Sequence, residues 1–468
     1  METKILTTTV MATQISSHTK VLFACLMAAL AGLLFGLDIG VIAGALPFIA
    51  NDFVIGDSLQ QWIVSSMMFG AALGALLAGW LSWRLGRKYS LVLGAFLFVI
   101  GSIGCAFSPD PATLIGARVV LGLAVGIASF TAPLYLSEIA PEAIRGAMVS
   151  LYQLMITVGI LAAFLSDTAF SYSGSWRWML GVIAFPALLL LLGVLTLPRS
   201  PRWLMMRGRE AEARRILESL RDDHAAADRE IVQIREQLTI RQEGLSLLRA
   251  SSDFRRSLGL GILLQVMQQL TGVNVVMYYA PRIFSLAHYN SHQAQLWGTV
   301  IVGAVNVLAT FIAIGLVDRL GRKPILYAGF VVMAGALAVL GALLHIGVVN
   351  PAQQIAAVCM LLLFIAGFAM SAGPLIWILC SEIQPIKGRD FGIAVSTFTN
   401  WAANMVAGAT FLTLVNTLGG ATTFWLYALL NGLSLLLVWW LVPETKGVSL
   451  EHIERRLMSG TPLRYLGR

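Results

Sequence analysis

Ser137-Glu138-Ile139-Ala140-Pro141 returns 244 residues later as Ser381-Glu382-Ile383-Gln384-Pro385, and Arg145 returns at the same distance as Arg389. A second pair repeats in the same way: Arg84-Leu85-Gly86-Arg87-Lys88 comes back as Arg319-Leu320-Gly321-Arg322-Lys323, 235 residues on. Each copy occupies the same place in its half, just after the second or the fourth long apolar run. Two parallel halves of six helices, related by an axis along the membrane normal, are the architecture of rocking transporters.

The composition agrees with that reading. Of 468 residues, 57% are apolar before 44 glycines are counted, and 12% are charged. Soluble domains carry about twice that charge, at roughly 25%. Disorder, a disulfide scaffold and most soluble enzymes are excluded, and the apolar residues suffice for roughly a dozen bilayer crossings. The runs 21–47, 60–82, 89–107, 112–136, 147–169 and 178–197 form one block, and 257–281, 295–317, 324–346, 354–380, 391–415 and 423–442 the other. Segments of this length in lipid read as helices, since every backbone group must be satisfied within the segment. The expectation is an all-α membrane protein with twelve transmembrane helices. The division is 1–20 as a polar N-terminal segment, 21–198 and 257–442 as pseudo-symmetric six-helix halves, 199–256 as a helical linker, and 443–468 as a tail. The first apolar run is too long for a signal-peptide core and reads as an uncleaved span.

The formal charge of +8 is a topology signal rather than a nucleic-acid footprint, because it sits in alternate loops. Arg84, Arg87 and Lys88, then Arg145, the stretch Arg199 to Arg256, Arg319 to Lys323, Lys387, Arg389 and the tail share one side, while the other loops hold little beyond Arg177 and Arg282. The positive-inside rule places both termini and the linker in the cytoplasm of a cell membrane, a bacterial inner membrane being expected. Cys25, Cys105, Cys359 and Cys380 lie far apart in apolar runs and read as buried free thiols, with no metal or cofactor implied.

No phosphate-binding Gly-Lys-Ser/Thr loop marks a pump, no filter loop marks a channel, and no His-Glu-x-x-His or Gly-x-Ser-x-Gly motif marks an enzyme. Secondary transport remains. Ionisable residues inside spans are costly and point to function. Asp38 in the first span and Arg118 in the fourth sit at similar depth, so the carboxylate can bind and release a proton as the guanidinium approaches or withdraws. The competing reading is a permanent ion pair that locks two helices. Asp167 and His345 lie near span ends, where solvation at the interface accounts for them.

Uncharged polar groups gather near mid-membrane: Gln153 in the fifth span, Gln268, Gln269, Asn274, Tyr278 and Tyr279 in the seventh, Asn306 in the eighth, and Asn400, Trp401 and Asn404 in the eleventh. Trp377 follows a Gly373-Pro374 break in the tenth. Amides both donate and accept, and indole or phenol rings stack on a pyranose, so the set suits a neutral ligand made of hydroxyls. Amides can also serve as interhelical glue.

With Pro198-Arg199-Ser200-Pro201-Arg202, Gln268-Gln269-Leu270-Thr271-Gly272-Val273-Asn274 and Pro443-Glu444-Thr445-Lys446-Gly447 added to the loop repeats, the chain resembles the sugar porters of the major facilitator superfamily over nearly its whole length. Gly36-Leu37-Asp38-Ile39-Gly40 and the run 134–170 are similar to the bacterial galactose–proton and arabinose–proton symporters, with Ala372-Gly373-Pro374 and Val305-Asn306-Val307 favouring the galactose group. The resemblance implies a proton symporter for galactose or a related aldose, with Asp38 as proton acceptor and Arg118 as its partner, and a monomer is expected. It implies sugar contacts from Gln153, Gln268, Gln269, Asn274, Tyr278, Asn306, Trp377 and Asn400. It also implies an inner latch between Glu138 or Glu382 and loop arginines such as Arg84, Arg145, Arg319 and Arg389. A passive facilitator would lack the Asp38 carboxylate, and a sugar receptor would carry a long tail beyond Arg456. The sequence departs from the family pattern twice: Trp83 stands where an acidic residue usually precedes the loop motif, as Asp318 does in the second copy, and Arg199 stands where an acidic residue usually follows the proline.

Overall fold

Glycines spaced by four residues decide how the first half packs. Gly32, Gly36, Gly40 and Gly44 form one face of the first span, and a Cβ on Gly36 would run into the Ile156 carbonyl of the fifth span while one on Gly159 would strike the Leu33 carbonyl. Gly70 and Gly74 of the second span meet Gly122 and Gly126 of the fourth in the same manner. Lipid supplies no hydrophobic drive between helices, so backbones brought this close by small residues gain their cohesion from dispersion contacts.

The computed structural model describes residues 2–221, 223–239 and 244–467, with the side chains of 2–18, 142, 143, 317 and 318 outside the description. Asp318 of the loop motif thus lies outside the described side chains. Among the described residues eleven helical segments are long and apolar enough to cross a membrane: Thr19–Phe53, Asp57–Arg84, Arg87–Ala106, Pro111–Ile139, Ile144–Ser171 and Trp176–Thr196, then Ser252–Leu286, His292–Leu316, Arg322–Ile346, Pro351–Glu382 and Gly420–Leu441. The helix Arg389–Leu418 takes the eleventh place in chain order and completes twelve. It is as long as the others but more polar, because Ser396, Thr397, Asn400 and Asn404 face protein rather than lipid. The first span continues through Pro47 to Phe53, beyond the expected end at 47.

Each six-helix half packs within itself, the second span on the fourth and the first on the fifth, the ninth on the twelfth and the seventh on the eleventh. The halves meet along two related seams, the second span against the eleventh and the fifth against the eighth. Between them the linker folds into helices Pro201–Met206, Glu210–Leu220, His224–Leu238 and Gly244–Ala250. Trp203, Leu204, Leu217, Ala227 and Ile231 give the first three of these a small core of their own. Arg221 pins that layer to the membrane helices: it donates to the Ile139 carbonyl at 3.0 Å, at the end of the fourth span, and to both Glu230 oxygens. The end of the molecule bearing this layer is called the linker face below.

Two expectations change. Cys25, Cys105 and Cys380 are buried, but Cys359 is exposed on the outer surface of the tenth span. Asp167 is fully buried, with Oδ2 accepting from the Gly44 N–H at 3.1 Å, so it is not a solvated group at a span end. The glycine face of the first span lets Asp167 approach the backbone there. His345 stacks near Trp425, ring centroids 5.3 Å apart.

Candidate functional site

Two spans of the second half are broken, and the breaks build the site. The seventh stops at Leu270 and restarts at Val273, with Gly272 at φ +89° between the pieces, a conformation that favours glycine. The tenth breaks at Ser371, after which Ala372-Gly373-Pro374 opens the helix Ala372–Glu382. Discontinuous helices in transporters leave backbone groups and polar side chains at mid-membrane only where they line a cavity.

A cavity of about 470 Å³ lies there, between the halves. That falls within the size of sites for small organic ligands, roughly 300–1,000 Å³. Seven of the eight expected sugar contacts line it: Gln153, Gln268, Gln269, Asn274, Asn306, Trp377 and Asn400. Tyr278 does not. It borders a second cavity of about 280 Å³ toward the opposite face, together with Asp57, Gln60, Arg282, His292 and Gln295, and its hydroxyl accepts from Asn404 Nδ2 at 2.9 Å.

The amides divide into two groups. Gln268 Nε2 donates to the Ala372 and Gly373 carbonyls at 2.8 and 3.0 Å, and its Oε1 accepts from Asn400 Nδ2 at 2.7 Å. Gln268 and Asn400 therefore tie the seventh, tenth and eleventh spans together as well as facing the cavity. Gln269 Oε1 accepts from Asn274 Nδ2 at 2.6 Å, which leaves the Gln269 amide N–H groups directed at no described residue. The side chains of Gln153, Asn306 and Trp377 likewise make no hydrogen bond to a described residue. Nor does the buried indole N–H of Trp401 or the buried hydroxyl of Tyr152, both on the cavity wall. Tyr152 was not expected at the site; its place beside Gln153 was the available signal. Phe35, three residues before Asp38, tilts against Trp401 across the two halves at 5.3 Å.

Asp38 and Arg118 are both fully buried, with Asp38 Oδ1 3.6 Å from Arg118 Nη1. Arg118 Nε is anchored by the Ile63 carbonyl at 2.8 Å. Neither Asp38 oxygen accepts a hydrogen bond from a described residue, so the guanidinium is what compensates the carboxylate. Phe35 and Ile39, on either side of Asp38 along the first span, line the cavity, so the pair and the ligand chamber share one helix.

The cavity lining extends toward the linker face, where Val149, Ser150, Ala313 and Ile314 continue its walls. The opposite face is sealed between the halves. Gln61 Nε2 donates to Thr413 Oγ1 at 2.9 Å, Asn416 Nδ2 donates to Asp57 Oδ2 at 2.7 Å, and Phe48 lies against His292.

The latch glutamates sit in two matching clusters, in which other arginines than the expected ones hold them in this conformation. Glu138 is held by Arg87, Nη2 to Oε1 at 2.8 Å, and by the Ser200 hydroxyl. Glu382 is held by Arg322 at 3.0 Å and by the Thr445 hydroxyl at 2.5 Å. Arg84 instead lies over Trp80, and the Arg319 carbonyl accepts from Lys446 Nζ. In each repeat it is the second arginine of the loop, set at the start of the following helix, that points inward to the glutamate. Arg145 makes no hydrogen bond or ion pair with a described residue, and Arg389 reaches only the Gln384 carbonyl at 3.4 Å. Among the described residues no hydrogen bond or ion pair joins the two glutamate clusters across the halves.

Residues 24–457 match the family described as Sugar (and other) transporter. The galactose-proton symporter of Escherichia coli strain K12 is 65% identical over 452 residues, 97% of either chain. The arabinose-proton symporter of the same strain is 58% identical over 449 residues, 95% of either chain. The xylose transporter XylE from E. coli, solved in a partially occluded inward-open conformation, superposes with a TM-score of 0.81 at 32% identity, over 92% of this chain and 100% of that one. Sequence repeat, broken spans and relatives agree, and the chain belongs to the sugar transporter family as a multi-pass membrane protein of the major facilitator fold.

Proposed function

We propose that the protein imports a neutral monosaccharide together with a proton, the sugar being galactose or a related aldose such as glucose, arabinose or xylose. The observation that carries the coupling is the Asp38–Arg118 pair, sealed from solvent on the helix that also lines the ligand cavity. A buried carboxylate whose only partner among the described residues is a guanidinium is costly to keep for structure alone. The same position is productive if its charge comes and goes.

In this reading the linker face is cytoplasmic, because the basic loops lie there. The conformation described above is then inward-facing, with the cavity open to the cytoplasm and the Gln61–Thr413 contact closing the outside. The cycle begins with the cavity open outward and Asp38 taking a proton. The neutral carboxyl no longer attracts Arg118, which stays tied to the Ile63 carbonyl, and the first span is freed to shift on its glycine face. Sugar hydroxyls engage the free amides of Gln269, Gln153 and Asn306, with Trp377 against the ring face. Closure of the outer ends forms the contacts from Gln61 and Asp57 to the eleventh span. The inner clusters around Glu138 and Glu382 separate, and the sugar leaves before the proton. Release of the proton restores the ion pair. One chain contains the whole site, so the working unit is a monomer.

Sugar-induced alkalinisation of the medium outside energy-depleted right-side-out vesicles, parent against Asp38→Asn, tests this. The expected result is proton uptake with sugar in the parent and none in the variant, while sugar counterflow persists in both. Equal proton signals would remove Asp38 from the coupling step.

A further inference from the structure

The two halves repeat each other, but their linker faces differ in charge at one matched place. In the second half Glu444 accepts from the backbone N–H groups of Arg322, Lys323 and Lys446 at 3.0, 2.9 and 2.9 Å, so a carboxylate is built into the loop that carries these cations. The matched residue of the first half is Arg199, and the residue before the loop motif is Trp83. Both departures remove an acid.

What replaces the carboxylate is a group of cations set on aromatic rings. Arg199 lies over Tyr89 and Trp203, at 5.4 and 5.9 Å from the ring centres. Arg207 lies over Trp83 at 4.7 Å and shares Trp203 at 5.6 Å, and it donates to the Trp83 and Arg84 carbonyls. Lys88 is beside Tyr89 and donates to the Leu195 carbonyl. Arg84 lies over Trp80. Not one of these four cations has an ion pair with a described carboxylate. Among the described residues no carboxylate compensates their positive charge.

The place is also apolar on its outer side. Trp80, Trp83, Leu85 and Tyr89 are exposed where the second span ends and the third begins, next to exposed Leu192 and Leu195 at the end of the sixth. Aromatic rings exposed at the end of spans mark the headgroup level of a bilayer. Cations at that level attract acidic lipid, each contributing on the order of 1 kcal/mol near the surface.

We propose that this cluster on the linker face of the first half is a binding site for the phosphate headgroup of an anionic phospholipid, with Arg199 and Arg207 at its centre and acyl chains against Trp80 and Leu85. In the second half Lys323 and Arg464 also lie over rings, Tyr327 and Trp439, but Glu444 there stands where the first half has Arg199, so the counterpart carries a carboxylate at its centre. Lipid rather than free phosphate is the source, since the cations open onto an apolar, bilayer-facing edge and not into an aqueous pocket. The site lies away from the ligand cavity and does not depend on which substrate is carried.

The test uses the purified full chain in non-ionic detergent, with short-chain phosphatidylglycerol, phosphatidylcholine or inorganic phosphate as probes and native mass spectrometry as the readout. Phosphatidylglycerol should be retained in preference to phosphatidylcholine and should resist competition by phosphate. Arg199→Glu should weaken its retention by about tenfold, while Arg464→Glu, beside Trp439 in the second half, should leave it unchanged. Counterflow by each variant establishes that it is folded, and the double variant Arg84→Gln/Arg207→Gln carries the test if Arg199→Glu does not fold. The proposal is overturned if Arg199→Glu retains phosphatidylglycerol as the parent does, if Arg464→Glu loses it equally, or if inorganic phosphate displaces it.

Discussion

Gln268 donates to the carbonyl of Ala372 at 2.8 Å, closing the break in the tenth span with a side chain from the break in the seventh. The same amide presents its oxygen to Asn400. Gln268→Ala is therefore expected to act twice. Unsatisfied buried carbonyls should cost roughly 1–3 kcal/mol of stability, and sugar affinity should fall by about tenfold or more as the chamber loses its shape. Gln269→Ala, whose amide nitrogen is free and which gives up one bond from Asn274, should lower affinity with a smaller stability loss. Thermal unfolding and equilibrium sugar binding on the two purified variants separate these effects; equal stability losses would contradict the division of roles.

Removing Arg87 should be far more damaging than removing Arg84. Arg87→Gln leaves the buried Glu138 carboxylate with only the Ser200 hydroxyl, and losing one member of a buried pair costs roughly 3–5 kcal/mol. Arg84→Gln gives up only an exposed cation over Trp80 and should change stability by less than about 0.5 kcal/mol in lipid-free detergent. Melting curves of the two variants decide it.

The seal at the face opposite the linker rests on few groups. Gln61→Ala removes the hydrogen bonds to Thr413, at about 1 kcal/mol each net. Loss of two such bonds should shift the conformational equilibrium toward opening at that face by about tenfold or more. A reporter thiol placed by Leu46→Cys, buried beside the second cavity, in a Cys359→Ser background, should label correspondingly faster. An unchanged labelling rate would mean that the apolar seam, not these hydrogen bonds, holds the face closed.

The glycine faces should tolerate no side chain. A Cβ at Gly36 meets the Ile156 backbone directly, whereas one at Gly79 meets nothing within 4 Å. Gly36→Ala is expected to cost roughly 1–3 kcal/mol through overpacking. Gly79→Ala should stabilise its helix by roughly 0.5–1 kcal/mol. Thermal unfolding of the pair gives the sign directly.

Asp167 offers a contrast with Asp38. Its one described hydrogen bond comes from the Gly44 N–H, and an amide oxygen can accept that bond equally well. Asp167→Asn should retain proton-coupled uptake and unfold at the same or a higher temperature. Asp167→Leu, which leaves Gly44 without its side-chain acceptor beside a crowded backbone, should destabilise by roughly 1–3 kcal/mol. Loss of coupling in the asparagine variant would show that this carboxyl takes part in proton movement.

Much of the site was legible because its signals are polar groups in an apolar chain. Asp38 and Arg118 stand out against lipid-compatible neighbours, and their similar depth follows from helix rise alone. Seven amide and indole residues read as sugar contacts do line one cavity. Tyr278 instead borders the opposite cavity, one hydrogen bond away from the ligand chamber through Asn404, a placement that sequence position alone does not give. That Arg87 and Arg322 hold the glutamates was not legible, because it depends on the turn at Gly86 and Gly321, both at positive φ, between the two arginines of each loop. Asp167 was read as solvated because position along a span gives depth but not what lies against it.

The sequence by itself determined that the chain is a duplicated bundle of twelve membrane helices, with a charged pair and a set of amides inside it. Span length, repeat offset and the cost of polar groups in lipid are properties of the chain read in one dimension. Only the tertiary structure decided which of those amides reach across the fold to be satisfied, which arginine holds each glutamate, and toward which face the cavity lining extends. Those outcomes depend on contacts between residues more than 50 positions apart, such as Gln268 with Ala372 and Arg87 with Glu138. Hydrogen-bond pairing at that range is fixed by how the helices lie against one another, not by periodicity within any one of them.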